Sequence, residues 1–352
     1  NTVDLTDIDT GDIVDLTSTP ISVSVAQYNT DGELMTNDSL TPTPEELLSM
    51  FTIDPNSPAI TSSEYTKELT WNFNSADESF DYLAKGEKLV LTYTVTATDS
   101  ENATDTQDIT VIINGTNDAP TITVVENSTT IIEDSILSDN GSITFADLDT
   151  TNRPVATYEV KSISSDDVTL SSSQISDLES AFSIENLETN TNNGTVTLDY
   201  TIANDKISFL NQDETITAIF TLTVTDDSGA SVSQDMTVTI QGANSAPVLN
   251  PLQTIYYTDT DGNDTFANTL GQAIATDLDS NAVLEFGMDG EVTTTETTVS
   301  KTLTYGEITI NKTTGEYTFV PNTEAINQLS ENVSENVTIS VTDDNGAISS
   351  QE

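Results

Sequence analysis

From Leu89 the chain alternates: Leu91, Tyr93, Val95 and Ala97 fall on one side, Thr92, Thr94, Thr96 and Thr98 on the other. A period of two with β-branched polar residues on the second face predicts a half-buried antiparallel strand. An acidic turn follows. Ile109, Val111 and Ile113 then repeat the pattern, and the segment stops at Asn117-Asp118-Ala119-Pro120. The unit returns at residues 218–247, with Phe220, Leu222 and Val224, then Met236, Val238 and Ile240, facing inward. It starts a third time at residues 336–346, so the chain is a tandem repeat.

Three further anchors fix the register. An Asp-aliphatic-Asp triplet opens each unit: Asp7-Ile8-Asp9, Asp147-Leu148-Asp149 and Asp277-Leu278-Asp279. A strand with bulky inward residues follows, carrying Trp71 and Phe73, Leu198 and Tyr200, or Tyr317 and Phe319. Leu83, Leu210 and Leu329 then sit at one constant offset from the first residue of each pair. Repeats 1 and 2 hold a short helix between triplet and strand. Thr43 caps one, with Pro44 in its first turn; Ser173 precedes the other, at 174–182, with Ile175, Leu178 and Phe182 at helical spacing. Both helices read as core packing. Repeat 3 lacks this insert and runs directly through residues 305–321.

Many short strands between Gly, Asn, Asp and Thr turns predict an all-β protein of tandem antiparallel β-sandwiches, each of roughly 100 residues. The expected units are 1–116, 117–243 and 244–352, and linkers this short stack them end to end as a rod. Pro120 and Pro247 each lead into a first strand, at 121–125 and 248–252. By this register repeat 1 lacks its first strand and repeat 3 its last. Either the array continues beyond both ends, or a neighbouring chain donates the strand and builds a filament.

The 352 residues include 59 acidic and 8 basic side chains, a net charge of −51. Such a surface repels nucleic acid and anionic membranes and invites divalent cations, which relieve self-repulsion. No cysteine is present, so no disulfide holds the fold. No apolar run approaches the ~18 residues of a membrane span. Without His or Cys the common triads and thiol nucleophiles are absent. A two-carboxylate glycosidase would need an aromatic-lined cleft, and Trp71 lies on a core-facing position. The expectation is a non-enzyme.

The early Asp-x-Asp, the Asp ending each Thr-Val-Thr strand (Asp99, Asp226, Asp343) and the Asn-Asp-Ala-Pro exit resemble bacterial cadherin-like repeats. More narrowly they look like the VCBS-type repeats of large secreted RTX-type adhesins. The resemblance covers nearly the whole chain. It implies calcium between consecutive domains, held by the linker Asn and Asp, the next Asp-x-Asp and a late Asp. Carried over, the first joint collects Asn117, Asp118, Asp147, Asp149 and Asp226. The second collects Asn244, Asp277, Asp279 and Asp343, with Ser245 in place of Asp118. One carboxylate fewer predicts weaker binding and a looser second joint. Asp7, Asp9 and Asp99 form half a site at the outer end of repeat 1. Gly115 and Gly242 stand where many cadherin linkers carry a further Asp.

The competing reading is that Asp-Asp-Ser-Gly and Asp-Asp-Asn-Gly are ordinary hairpin turns. The run 259–264 resembles a calcium loop but lacks its glycine and final Glu, and reads as a turn. Glu133-Asp134 is placed toward the second joint. The whole predicts a calcium-rigidified extender in an adhesin, on the surface of a Gram-negative bacterium or secreted from it. It spaces a distal binding module from the cell, and its partners are neighbouring repeats of one long chain. The alternative is a matrix or surface filament in which copies of the chain pair by strand donation. A carbohydrate- or peptide-binding module would need an exposed aromatic platform, and the sequence offers no candidate for one.

Overall fold

A computed structural model describes residues 1–16, 22–36, 42–54, 57–76, 78–186 and 191–352. The protein is all-β: tandem antiparallel sandwiches stacked end to end, with three separate hydrophobic cores.

Repeat 2 is the most complete sandwich. One sheet orders Phe182–Asn186, Asn193–Thr201, Ser138–Ala146 and Thr121–Val125; the other orders Val155–Ser164, Thr215–Thr225, Ser231–Gln241 and Ser128–Ile132. The leading segment therefore divides. Thr121–Val125 pairs antiparallel with Ser138–Ala146, and Ser128–Ile132 pairs parallel with Ser231–Gln241. Alternation decides which residues enter the core. Along Thr215–Thr225 every even position from Ile216 to Val224 is buried and every odd one is partly exposed.

Repeat 1 builds the same frame without the leading pair. Thr2–Thr6, Thr66–Phe73 and Phe51–Asp54 form one sheet. Lys88–Asp99 pairs with Val14–Leu16, Ser22–Tyr28 and Thr104–Asn114 in the other. Repeat 3 departs further. Its sheet Thr269–Gln272, Glu316–Pro321, Gly306–Asn311 is extended by a hairpin, Thr293–Thr294 with Thr298–Leu303, where the other repeats carry a helix. A single turn of helix, Thr323–Ile326, follows its bulky strand.

Several sequence expectations shift. The second helix is Ser172–Ser180, capped by Ser171 rather than Ser173, because the Ser171 hydroxyl accepts from the Gln174 N–H while the Gln174 side chain accepts from the Ser171 N–H. Phe182 lies beyond that helix, in a strand. The first helix, Pro44–Ser49, starts at Thr43 as expected and closes the same box through Glu46. The strand expected at 248–252 is only Val248–Leu249: Pro251 has no N–H for a ladder. The last strand of repeat 3 is not wholly missing. Ile348–Gln351 pairs with Ile339–Thr342, which gives it an edge to bond.

One aromatic stack organises each of the first two cores. Phe220 is fully buried against Phe182, with ring centres 4.2 Å apart, and Phe51 stacks on Tyr93 at 4.6 Å. Each helix is tied down by a buried phenol. The Tyr93 hydroxyl donates to the Leu47 carbonyl (2.9 Å) and that of Tyr200 to the Leu178 carbonyl (3.2 Å). Truncating Phe220 to Ala should cost about 3–5 kcal/mol, whereas Tyr93→Phe should cost about 1 kcal/mol. Because the cores are separate, calorimetry should show each loss in the transition of its own repeat, and a uniform shift of all transitions would contradict that separation.

Candidate metal centres at the repeat joints

The triplets turn ordinary burial inside out. Leu148 and Leu278 are 58% and 65% exposed, while Asp149 and Asp279 between joint and core are 0% and 6% exposed. Carboxylates go inside only when something holds them there. At the first joint the Asp149 N–H donates to Asp147 Oδ1 at 2.9 Å, fixing the triplet as a turn. Asp149 Oδ2 accepts from the Asp118 N–H (3.0 Å) and the Asn152 amide (3.1 Å). The Asn117 amide donates to Asp226 Oδ2 at 2.8 Å. The second joint repeats this geometry. The Asn244 amide donates to Asp343 Oδ2 (2.9 Å), the Ser245 N–H to Asp279 Oδ2 (3.1 Å), and the Asp279 N–H to Asp277 Oδ1 (3.0 Å).

Asp226 and Asp343 each divide their two oxygens between a hairpin turn and the linker amide. Oδ1 of Asp226 accepts from the Ser228 and Ala230 N–H groups, and Oδ1 of Asp343 from those of Asn345 and Ala347. The other oxygen faces the joint. One carboxylate thus closes the hairpin and receives the linker Asn.

These hydrogen bonds link the sequence-placed residues at both joints, although among the described residues no three of their carboxylates bring oxygens within 4.8 Å of one another. A residue from outside the repeated motif joins the second set. Glu133, 1% exposed at the end of Ser128–Ile132, accepts from the Ala243 N–H in the second linker (2.9 Å) and feels the charge of Asp279. With it the second joint holds Glu133, Asp277, Asp279 and Asp343, as many carboxylates as Asp118, Asp147, Asp149 and Asp226 at the first. The expected deficit caused by Ser245 is therefore offset. Glu133 belongs to repeat 2, so this carboxylate crosses the joint. Its only signal in the sequence was an acidic pair at the end of an alternating run.

At the outer end of repeat 1, ligand oxygens of Asp7, Asp12 and Asp99 lie within 4.8 Å of one another. Asp9, expected there, is not in that group. Asp149 accepts from the Asn152 amide and the Asp118 N–H, whereas the residue matching Asn152 here is Asp12, a carboxylate with no such donor to offer Asp9.

Among the described residues ten buried side-chain polar atoms have no hydrogen-bond partner, and six sit in these two sites: Asn117 Oδ1, Asp147 Oδ2, Asp149 Oδ1, Asn244 Oδ1, Asp277 Oδ2 and Glu133 Oε1. Each is an oxygen. Three lie at each joint, and a donor set of oxygens alone suits a hard cation rather than a softer metal that prefers nitrogen or sulfur. Lys161 and Lys312 pair elsewhere, with Asp235 and Glu285, while the Arg153 guanidinium donates to the Thr150 and Asn152 carbonyls in the loop after the first-joint triplet.

Burial, then neighbouring charge, raises these groups: Asp149 and Asp279 to about 6, Glu133 to about 7, and Asp147 in the same direction. Asp343 moves the other way, because hydrogen bonds from Asn244 and its own turn outweigh burial. A carboxyl raised in the folded state favours folding while protonated. That contribution is complete below the unfolded value of about 4 and is lost as pH rises through 6 to 7. In chelator, melting temperature should therefore fall between pH 5 and pH 7.5. With millimolar calcium the order should reverse, since the metal needs the ionised forms. A chelated protein that gains stability across this interval would refute the assignment.

No protein-family model matches the chain, and no curated protein matches it. Solved structures similar to it include domains EC21–23 of human CDH23, at 13% identity and TM-score 0.35 over 97% of this chain and 88% of that one. Mouse Cadherin-23 EC22–24 aligns at 15% identity and TM-score 0.33, over 86% of this chain and 83% of its own. Mouse clustered PcdhgC3 EC1–3 aligns at 15% identity and TM-score 0.31, over 89% and 90%. At these scores the likenesses carry no weight in the assignment, which rests on the sandwiches and the joints themselves.

Proposed function

We propose that the chain is a structural extender of an extracellular adhesion protein, made of cadherin-like repeats whose joints calcium stiffens. One observation carries this reading: buried oxygens with no donor, gathered at both joints by backbone N–H groups and linker amides. Calcium bound there supplies the positive charge that cancels the repulsion among the carboxylates. The chain's own residues do the rest. Asn117 and Asn244 tie each linker to the late Asp of the repeat below, and the Asp118 and Ser245 N–H groups hold the second Asp of the triplet. Glu133 makes the second site span two repeats, so that joint is the stiffer of the two, reversing the sequence expectation.

The motif resemblance extends the proposal to a secreted bacterial adhesin of the VCBS type, with neighbouring repeats as partners. No helix among the described residues is long and apolar enough to cross a membrane. No catalytic role is proposed.

Calorimetric titration of the chelated protein with calcium should reveal at least two sites. Asp149→Asn should weaken one and Glu133→Gln another, each on the order of tenfold or more, leaving the partner site unchanged. Absence of binding heat, together with a melting curve indifferent to calcium, would overturn the reading.

A further inference from the structure

The joints contain a second device that involves none of the candidate ligands. In repeats 1 and 2 the segment after the bulky strand, residues 80–87 and 207–214, forms a small platform at the end of the sandwich. Leu83 and Leu210, 1% and 0% exposed, pin it to the core. Its turn is closed by its own glutamate: Glu87 accepts from the Ala84 N–H (3.2 Å) and Glu214 from the Asn211 N–H (2.9 Å). The platform is therefore fixed by repeat 1 or repeat 2 alone.

Two separate parts of the joint rest on it. The linker lies flat against it, with the Gly115 N–H donating to the Glu87 carbonyl and the Gly242 N–H to the Glu214 carbonyl, both at 2.9 Å. No other residue fits so close. A Cβ on Gly115 would stand 2.2 Å from the Ala84 oxygen, and one on Gly242 2.4 Å from the Asn211 oxygen. From the other side comes the loop after the triplet of the next repeat. The Thr150 N–H and hydroxyl both donate to the Tyr82 carbonyl (3.3 and 3.1 Å), and the Ser280 N–H donates to that of Phe209 (2.8 Å). At the second joint the Asn345 amide also bonds the Asn211 side chain.

We propose that each joint is seated without metal: the platform holds linker and next repeat by three hydrogen bonds, so metal-free repeats keep a preferred angle. Two contacts at the first joint come from one residue, Thr150, onto one carbonyl. At the second they come from Ser280 and Asn345, well apart in sequence, onto different groups. Spaced contacts resist rotation better, so the second joint is the tighter seat. This inference does not depend on calcium and goes beyond the extender reading.

The chain has no cysteine, so paired labels are easily placed. Thr110 with Thr157 spans the first joint and Thr157 with Glu307 the second; all three are exposed strand positions. Pulsed electron-spin distance measurements would be made in chelator, with no metal added. A single maximum across each joint is expected, narrower across the second. Gly115→Ala should broaden only the first distribution and Gly242→Ala only the second. If those variants fail to fold, Asn345→Ala, an exposed change, should broaden the second alone. Wild-type distributions as broad as a flexible linker's would overturn the proposal. So would well-folded glycine variants, or an Asn345→Ala variant, with unaltered distributions.

Discussion

Carboxylates held inside each joint, with oxygens that no donor reaches, are the constraint on which the rest of the architecture turns. A buried anion is tolerated only when charge or hydrogen bonds compensate it. The backbone supplies part of that compensation by turning each triplet on its first Asp, and the linkers supply more through Asn117 and Asn244. What remains are buried oxygens that no donor reaches. Burial first, and the neighbouring carboxylates after it, raise Asp149, Asp279 and Glu133 above the ordinary carboxylate range. A cation bound as proposed would compete with protons for the same oxygens.

Around this constraint single residues take on two duties. Asp226 and Asp343 close a hairpin with one oxygen and face the joint with the other, so the hairpin at the end of the longest strands sets the position of the site. The sandwich core thereby determines site geometry. Glu87 and Glu214 do comparable work above the joint, capping a turn with the side chain and receiving the linker glycine with the carbonyl. The joint is a continuation of the two folds that meet there, with the linker laid between them.

Much of this was legible in the sequence. Alternation along residues 89–97 and 220–224 identified the longest strands, because a half-buried strand imposes a period of two whatever surrounds it. The recurring triplet, late Asp and linker Asn named most of the site, since short-range turn chemistry is encoded locally. Harder to see were features that depend on distant chain. Glu133 reaches the second joint only because its strand runs parallel to Ser231–Gln241 and ends beside the linker. Asp12, at the position matching Asn152, joins Asp7 and Asp99 where Asp9 was expected. The constant spacing to Leu83 and Leu210 was visible as a number, yet its meaning, a pin beneath the platform, needed the packing. Gly115 and Gly242 looked like absent ligands. Their reason is steric: a carbonyl occupies the place of a side chain.

Small-angle scattering from the intact chain, in a few millimolar calcium and again in excess chelator, tests most directly whether the joint carboxylates control stiffness. A stiff extended particle in calcium that bends over a wider range when the metal is removed, with the sandwiches still folded, is the predicted outcome. Superimposable curves would mean that these oxygens hold no cation that matters to the joint, and the account would fail.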